Sequence, residues 1–195
     1  MPAFVGLTGG IAAGKSTALE ALADLGAATL STDSVVHELY ASEEIVDPVK
    51  ERFGADVAPD GRVDRARLAE RAFATEADRT WLEELLWPRV GERVTRWRED
   101  VGGGDPGPRA AVVEVPLLFE SGMEALFDAT IAVIAPEDVR AERAGGRGHQ
   151  AVDERSARQL TQSEKAGRAT FVVVNDGDVS ALREKLSDVL GMLER

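Results

Sequence analysis

The stretch AFVGLTGGIAAGKST, residues 3–17, decides the fold. Ala3–Leu7 is a short apolar run, which reads as a buried strand. It runs into Gly9-Gly10-Ile11-Ala12-Ala13-Gly14-Lys15-Ser16, which fits G-x-x-x-x-G-K-[ST] without a mismatch. The spacing has a physical cause. Small residues let the backbone curl until successive N–H groups face inward at phosphate oxygens. The helix opening near Lys15 adds its partial positive N-terminus. In this reading Gly10, Ile11, Ala12, Ala13, Gly14, Lys15, Ser16 and Thr17 hold ATP. Lys15 reaches the β/γ-phosphates, and the Ser16 hydroxyl serves Mg²⁺.

Outward from the loop, Ser16–Leu25 puts Ala18, Leu19, Ala21, Leu22 and Leu25 on one helical face, and Gly26 closes that helix. A second short strand follows near Ala28–Ser31. Strand, loop, helix, strand is a βαβ unit and predicts a parallel sheet. From Asp33 to about Val101 the pattern is helical, punctuated by Asp47-Pro48, Gly54 and Pro59-Asp60-Gly61. A helix is expected over Ser34–Tyr40, and Asp64–Phe73 and Ala77–Leu86 are amphipathic. Gly102–Arg109 reads as a surface loop. Ala110–Val115, Ala129–Ala135 and Thr170–Val174 are continuous apolar runs of the kind found in central strands, and Ser180–Leu193 is a closing amphipathic helix. The expectation is a three-layer α/β fold of the P-loop type: a five-stranded parallel sheet with a helical insertion and a helical lid. Core (1–32, 91–137, 166–195), helical lobe (33–90) and lid (138–165) form one continuous unit.

Composition narrows the class. In 195 residues, 23 basic and 35 acidic side chains give a net charge of −12. Such a surface repels long nucleic acids and anionic membranes, so neither is expected as a partner. No apolar run approaches the ~20 residues of a membrane span. The N-terminal MPAFVGLTGG has no basic region followed by an apolar stretch, so no signal peptide is expected and the protein is placed in the cytoplasm. Cys is absent and His occurs twice, which leaves no thiol chemistry and no His-rich metal site.

A short chain with a helical insertion after the second strand and an Arg-rich segment after the fourth suits a small-molecule kinase better than a motor or a switch. Asp33, just past the second strand, can accept the proton of an attacking hydroxyl, and it equally suits a helix N-cap. Glu114 is a lone acid in an apolar strand: it can hold a Mg²⁺-bound water, meet a lid Arg, or form a structural pair. Arg140, Arg143 and Arg147 share a helical face by spacing, with Arg158 further on. The segment 138–168 carries seven basic against five acidic residues, a positive balance in an acidic chain. These arginines suit transition-state charge, or they are a solvated face paired with Glu142 and Glu154. Asn175 can touch an adenine edge or sit in a plain turn; Asp176 in place of Lys excludes the guanine-reading motif. His37, one turn from Asp33, can bind a polar substrate group or be a partly buried helix residue. His149 reads as a loop residue. The three Trp, with Leu82, Leu85 and Leu86, read as core.

Together these residues resemble the dephospho-coenzyme A kinase family. Leu7-Thr8-Gly9-Gly10-Ile11 and Gly14-Lys15-Ser16-Thr17 look like its LTGGIGSGKST opening, with Ala12 and Ala13 in place of Gly-Ser. Thr32-Asp33 with His37-Glu38 is similar to its D-A-D…(H/R)-E stretch, with Ser31 at the first Asp. Phe53-Gly54, Gly61, Asp64-Arg65, Leu68 and Phe73 look like its substrate-lobe signature. Trp87 stands before Pro88 where the family has His. Glu114-Val115-Pro116-Leu117-Leu118-Phe119-Glu120 matches its (D/E)-(I/V)-P-L-L-(F/V)-E motif, and Gln162 and Lys165 fall at lid positions. Asn175-Asp176-Gly177 resembles its N-x-G. The resemblance implies ATP and Mg²⁺ as cofactors and dephospho-coenzyme A as acceptor, in a monomer. It implies Asp33, Lys15 and Arg140 as catalytic residues, Arg143 and Asn175 with the loop at ATP, and Thr8, Asp33, His37, Arg65, Glu114 and Leu117 at the acceptor.

Overall fold

The computed structural model describes residues 1–104, 106–145 and 159–194, with side chains outside the description at 143–145. Five strands form one parallel sheet: β1 (Ala3–Gly9), β2 (Ala28–Ser31), β3 (Ala110–Glu114), β4 (Ala129–Ile134) and β5 (Phe171–Val174), in the order β2-β3-β1-β4-β5. The central strand is thus the one that feeds the phosphate loop.

Alternation along β1 explains the layers. Val5 and Leu7 point to one face, where α1 (Lys15–Asp24) and the last helix (Val179–Leu193) pack on each other. Leu22, Leu182, Leu186 and Leu190 are buried there with Val112, Ile131 and Val133. Each fully buried Leu contributes about 1.5–3 kcal/mol. Phe4, Gly6 and Thr8 belong to the other face. Phe4 stacks on Phe127 at 4.6 Å between ring centres. Gly6 leaves room for Phe127 and Leu118, and Thr8 meets a helix at Gln162–Arg168. Helix, sheet, helix gives the three layers.

The chain divides into two compact units, residues Met1–Ser31 with Trp97–Arg195, and residues Thr32–Arg96. The second unit is helical: α2 (Thr32–Leu39), α3 (Glu43–Phe53), α4 (Arg65–Ala72) and most of α5 (Glu76–Gly102). Its buried residues include Val35, Leu39, Ile45, Val49, Val57, Leu68 and Leu82. Trp81 meets the Phe53 ring edge-on, with Arg52 over its face. Arg71 grips both carboxylate oxygens of Asp56 and the Phe53 carbonyl.

One expectation is corrected. Pro48 does not mark a turn but lies inside α3. It withholds one N–H from the ladder, yet buried Ile45, Val46 and Val49 keep the helix together across it. The amphipathic stretch Ala77–Leu86 lies in α5, which runs on through Pro88 to Gly102. Its last turns belong to the sheet unit, where Arg98 stacks over Phe4 and pairs with Asp128 at 3.2 Å. The sheet unit also holds, among the described residues, α6 (Glu137–Gly145), α7 (Gln162–Arg168) and α8 (Val179–Leu193).

Candidate active site

The loop between β1 and α1 is built by close approach. A Cβ on Gly9 would lie 2.2 Å from the Val133 carbonyl oxygen, so only glycine allows β1 to approach β4 this closely. Beyond it the loop carbonyls are tied up. Lys15 Nζ donates to the carbonyls of Gly9 (3.3 Å) and Gly10 (3.0 Å), and the Ala13 N–H also donates to Gly10 (3.2 Å). Arg140 Nε donates to the Ile11 carbonyl at 3.0 Å. Asn175 Nδ2 donates to the Ala13 carbonyl at 2.9 Å, and the Gly14 carbonyl accepts from Ala18 N–H at 2.9 Å. A trans peptide points its N–H opposite its C=O. Tying down the carbonyls of Gly10, Ile11 and Ala13 turns the N–H groups of Ile11, Ala12 and Gly14 the opposite way, while the Ala13 N–H is held by Gly10. Gly14, in the left-handed region, caps α1, and Ser16 presents an exposed hydroxyl in its first turn.

Beside this loop is a cavity of about 490 Å³, lined by Ala12, Lys15, Thr17, Asn175, Asp178 and Val179 among others. Its lining joins a Gly-rich loop, one ammonium and a helix N-terminus, chemistry that suits a polyphosphate. The Ser16 hydroxyl could serve as a ligand to Mg²⁺. Among the described residues no three His, Cys, Asp or Glu side chains cluster as a metal site. That donor set fits Mg²⁺, which is held by few protein ligands and completes its shell with phosphate oxygens and water.

The structure places the other candidates as follows. Arg140 uses Nε on Ile11 and Nη1 on Glu137 (2.7 Å), so its fork serves the loop backbone and its own helix. Glu114 is buried at the end of β3, in register with Leu7 on one side and Ser31 on the other. Thr8 is fully buried, and its hydroxyl lies 3.3 Å from the Pro116 carbonyl. Leu117 is half-buried, its carbonyl accepting from Ser121. Arg143's side chain, Arg147, His149, Glu154 and Arg158 lie outside the described residues.

In the helical unit, Asp33 is exposed in the first turn of α2. The N-cap reading is corrected, because the helix already starts at Thr32. His37 is exposed, not partly buried. Its Nε2 lies 2.5 Å from Arg62 Nη2, which also donates to the His37 carbonyl at 3.1 Å. An arginine only donates, so Nε2 is the accepting atom of this contact. Arg65 is exposed at the start of α4, whose N-cap is Asp64. Burial raises the pKa of the Tyr40 hydroxyl, and Arg65's charge acts against it. Two residues of the lobe signature thus have local duties: Gly54, at φ 96°, ends α3, and the Asp64 carboxylate accepts from the N–H groups of Ala66 and Arg67.

One arrangement escapes a reading of the sequence. Lys165 is fully buried, with its ammonium 2.5 Å from the Pro116 carbonyl, 3.1 Å from Glu120 and 3.4 Å from the Thr8 hydroxyl. Gln162 grips Ala135 with both amide ends, accepting from its N–H and donating to its carbonyl. Helix α7 is thereby fastened under the loop and to the end of β4. Glu120 and Lys165 are 45 positions apart, and no local pattern pairs them.

Comparison with known proteins concerns the chain as a whole. The dephospho-CoA kinase family model matches residues 3–181. A dephospho-CoA kinase of Moorella thermoacetica is 38% identical over 98% of this chain and 92% of its own length. The crystal structure of TT1252 from Thermus thermophilus is 30% identical, covers 98% of this chain and 97% of its own, and superposes with a TM-score of 0.79. A dephospho-CoA kinase from Campylobacter jejuni, 24% identical, shares the fold with a TM-score of 0.73 over all of this chain and 98% of its own. On its phosphate loop, its sheet order and this near full-length match, the chain belongs to the dephospho-CoA kinase family.

Proposed function

We propose that this chain transfers the γ-phosphoryl group of ATP to the ribose 3′-hydroxyl of dephospho-coenzyme A, giving coenzyme A and ADP. The observation that carries the reading is the complete phosphate loop in a chain that matches this family from residue 3 to residue 181. The bond from the γ-phosphorus to its bridging oxygen breaks, a bond to the 3′-oxygen forms, and the hydroxyl proton leaves to a base. Asp33 takes or directs that proton, on the strength of its type and its place directly after β2. The loop N–H groups and Lys15 hold the β- and γ-phosphates. Mg²⁺, when bound with the Ser16 hydroxyl among its ligands, neutralises phosphate charge. Phosphoryl transfer depends mostly on positioning and electrostatics, so excluding water matters. We assign that covering role to segment 138–165 for its basic balance, and propose Arg140 for the transferred charge and Arg143 for the nucleotide.

The acceptor is assigned to the lobe 33–90, through Asp33, His37 and Arg65; Thr8, expected there too, is fully buried in the sheet unit and is not assigned to it. Arg62 holds His37 Nε2 in a hydrogen bond, so His37 would act through Nδ1 or after releasing that arginine. The enzyme is proposed to be a cytoplasmic monomer. No helix among the described residues is long and apolar enough to cross a membrane.

ADP release from ATP, followed with dephospho-coenzyme A, shikimate, gluconate or a nucleoside as acceptor, tests the proposal. Stimulation by dephospho-coenzyme A alone is expected. An unchanged rate in folded protein, or preference for another acceptor, would sink it.

A further inference from the structure

Ala12 is the one non-glycine residue with positive φ, at 59°, among the described residues. An L-residue is strained there, and the strain persists only where the surroundings enforce it. What enforces it is visible. On one side Ala12 follows Ile11, whose carbonyl is held by Arg140. On the other it precedes Ala13, which is fully buried and whose carbonyl is held by Asn175. Asn175 is itself fixed: it is 5% exposed, and its backbone N–H donates to the Ile134 carbonyl at 2.7 Å at the ends of β4 and β5. The sheet therefore reaches up through one amide and pins the peptide whose N–H, that of Gly14, points the opposite way.

We infer that Asn175 is a positioning residue for nucleotide binding: it holds Ala12-Ala13 in the left-handed form of the phosphate loop, and so sets affinity for the polyphosphate rather than choice of base. This rests on reading the loop as the ATP phosphate site. Without the Asn175 amide, Ala12 relaxes toward negative φ and the loop N–H groups lose their common aim. The binding-competent loop then becomes a minor state, and apparent affinity falls by the fraction populated. Glycine at position 12 carries no such strain, so the need for the clamp should shrink when Ala12 is replaced.

Calorimetric dissociation constants for tripolyphosphate, ATP and GTP test this without any acceptor, so the result stands apart from the kinase assignment. Asn175→Ala is expected to weaken all three by the same factor, on the order of tenfold. Adding Ala12→Gly to Asn175→Ala should recover most of that loss, which a general loss of packing would not allow. Loss for ATP with tripolyphosphate unaffected would make Asn175 a base-reading residue and overturn the inference. No loss for any ligand, or equal loss without recovery by Ala12→Gly, would overturn it too. Should Asn175→Ala fail to fold, Asn175→Leu, of similar volume and without a donor, carries the same expectation. Failure of both to fold would make Asn175 a core residue, against the inference.

Discussion

Asp33 carries the least geometric support and the largest expected effect. It is an exposed carboxylate in the first turn of α2, two residues beyond the end of β2. If it accepts the hydroxyl proton, Asp33→Asn should lower kcat about 10²–10⁴-fold while KM for ATP stays nearly constant. Steady-state kinetics with ATP varied at saturating acceptor decides this. A matched rise in KM for ATP would make Asp33 a structural residue or a partner of the metal's water. Single residues also show where the sequence stops speaking. The loop residues 10–17 were legible because their spacing is itself the mechanism. Arg140 and Asn175 were legible as polar residues at strand or helix ends, but not as clamps on Ile11 and Ala13. A side chain that serves a backbone carbonyl 129 or 162 positions away leaves no periodic trace.

Among the elements, α7 departs most from expectation. Its Lys165 reads in the sequence as a lid cation, yet it lies at zero exposure beneath β1. Burial outweighs the attraction of Glu120 and lowers its pKa below the ordinary 10.5. Removing one partner of a buried pair strands the other. Lys165→Met should therefore cost about 3–5 kcal/mol, and Lys165→Met with Glu120→Leu should recover part of it. Denaturant unfolding measures both. The pH dependence has a definite sign. Between the lowered pKa and 10.5 the unfolded chain binds more protons than the folded one, so this group adds stability as pH rises through that window. The gap between wild type and Lys165→Met should widen toward alkaline pH, and a gap that stays flat or narrows would contradict the buried cation. The strands were legible to within one or two residues, since apolar runs of four to seven residues between turns have few other uses. The helices were less so. Pro48 reads as a break, and only the burial of Ile45, Val46 and Val49 shows why the helix survives it.

At the scale of the molecule, a chain of net charge −12 is proposed to bind two polyanions. The two facts are compatible because the anion site is made of backbone. Loop N–H groups, Lys15 and the start of α1 supply local positive potential that net charge does not report. The acidic exterior acts on long polyelectrolytes, whose charge extends past any cleft. The sheet order was not legible, because pairing of β1 with β3 and β4 is fixed by contacts across more than a hundred positions. The sequence predicts a helical lobe over 33–90 as a strand-free stretch between two apolar runs, and the chain divides at Thr32–Arg96. Identification of the product of one incubation with ATP and dephospho-coenzyme A tests the central claim most directly. Phosphorus NMR should show one new phosphomonoester on the ribose 3′-oxygen for each ADP formed. ADP formed with free inorganic phosphate, or a phosphoryl group on any other oxygen of the acceptor, would contradict the account.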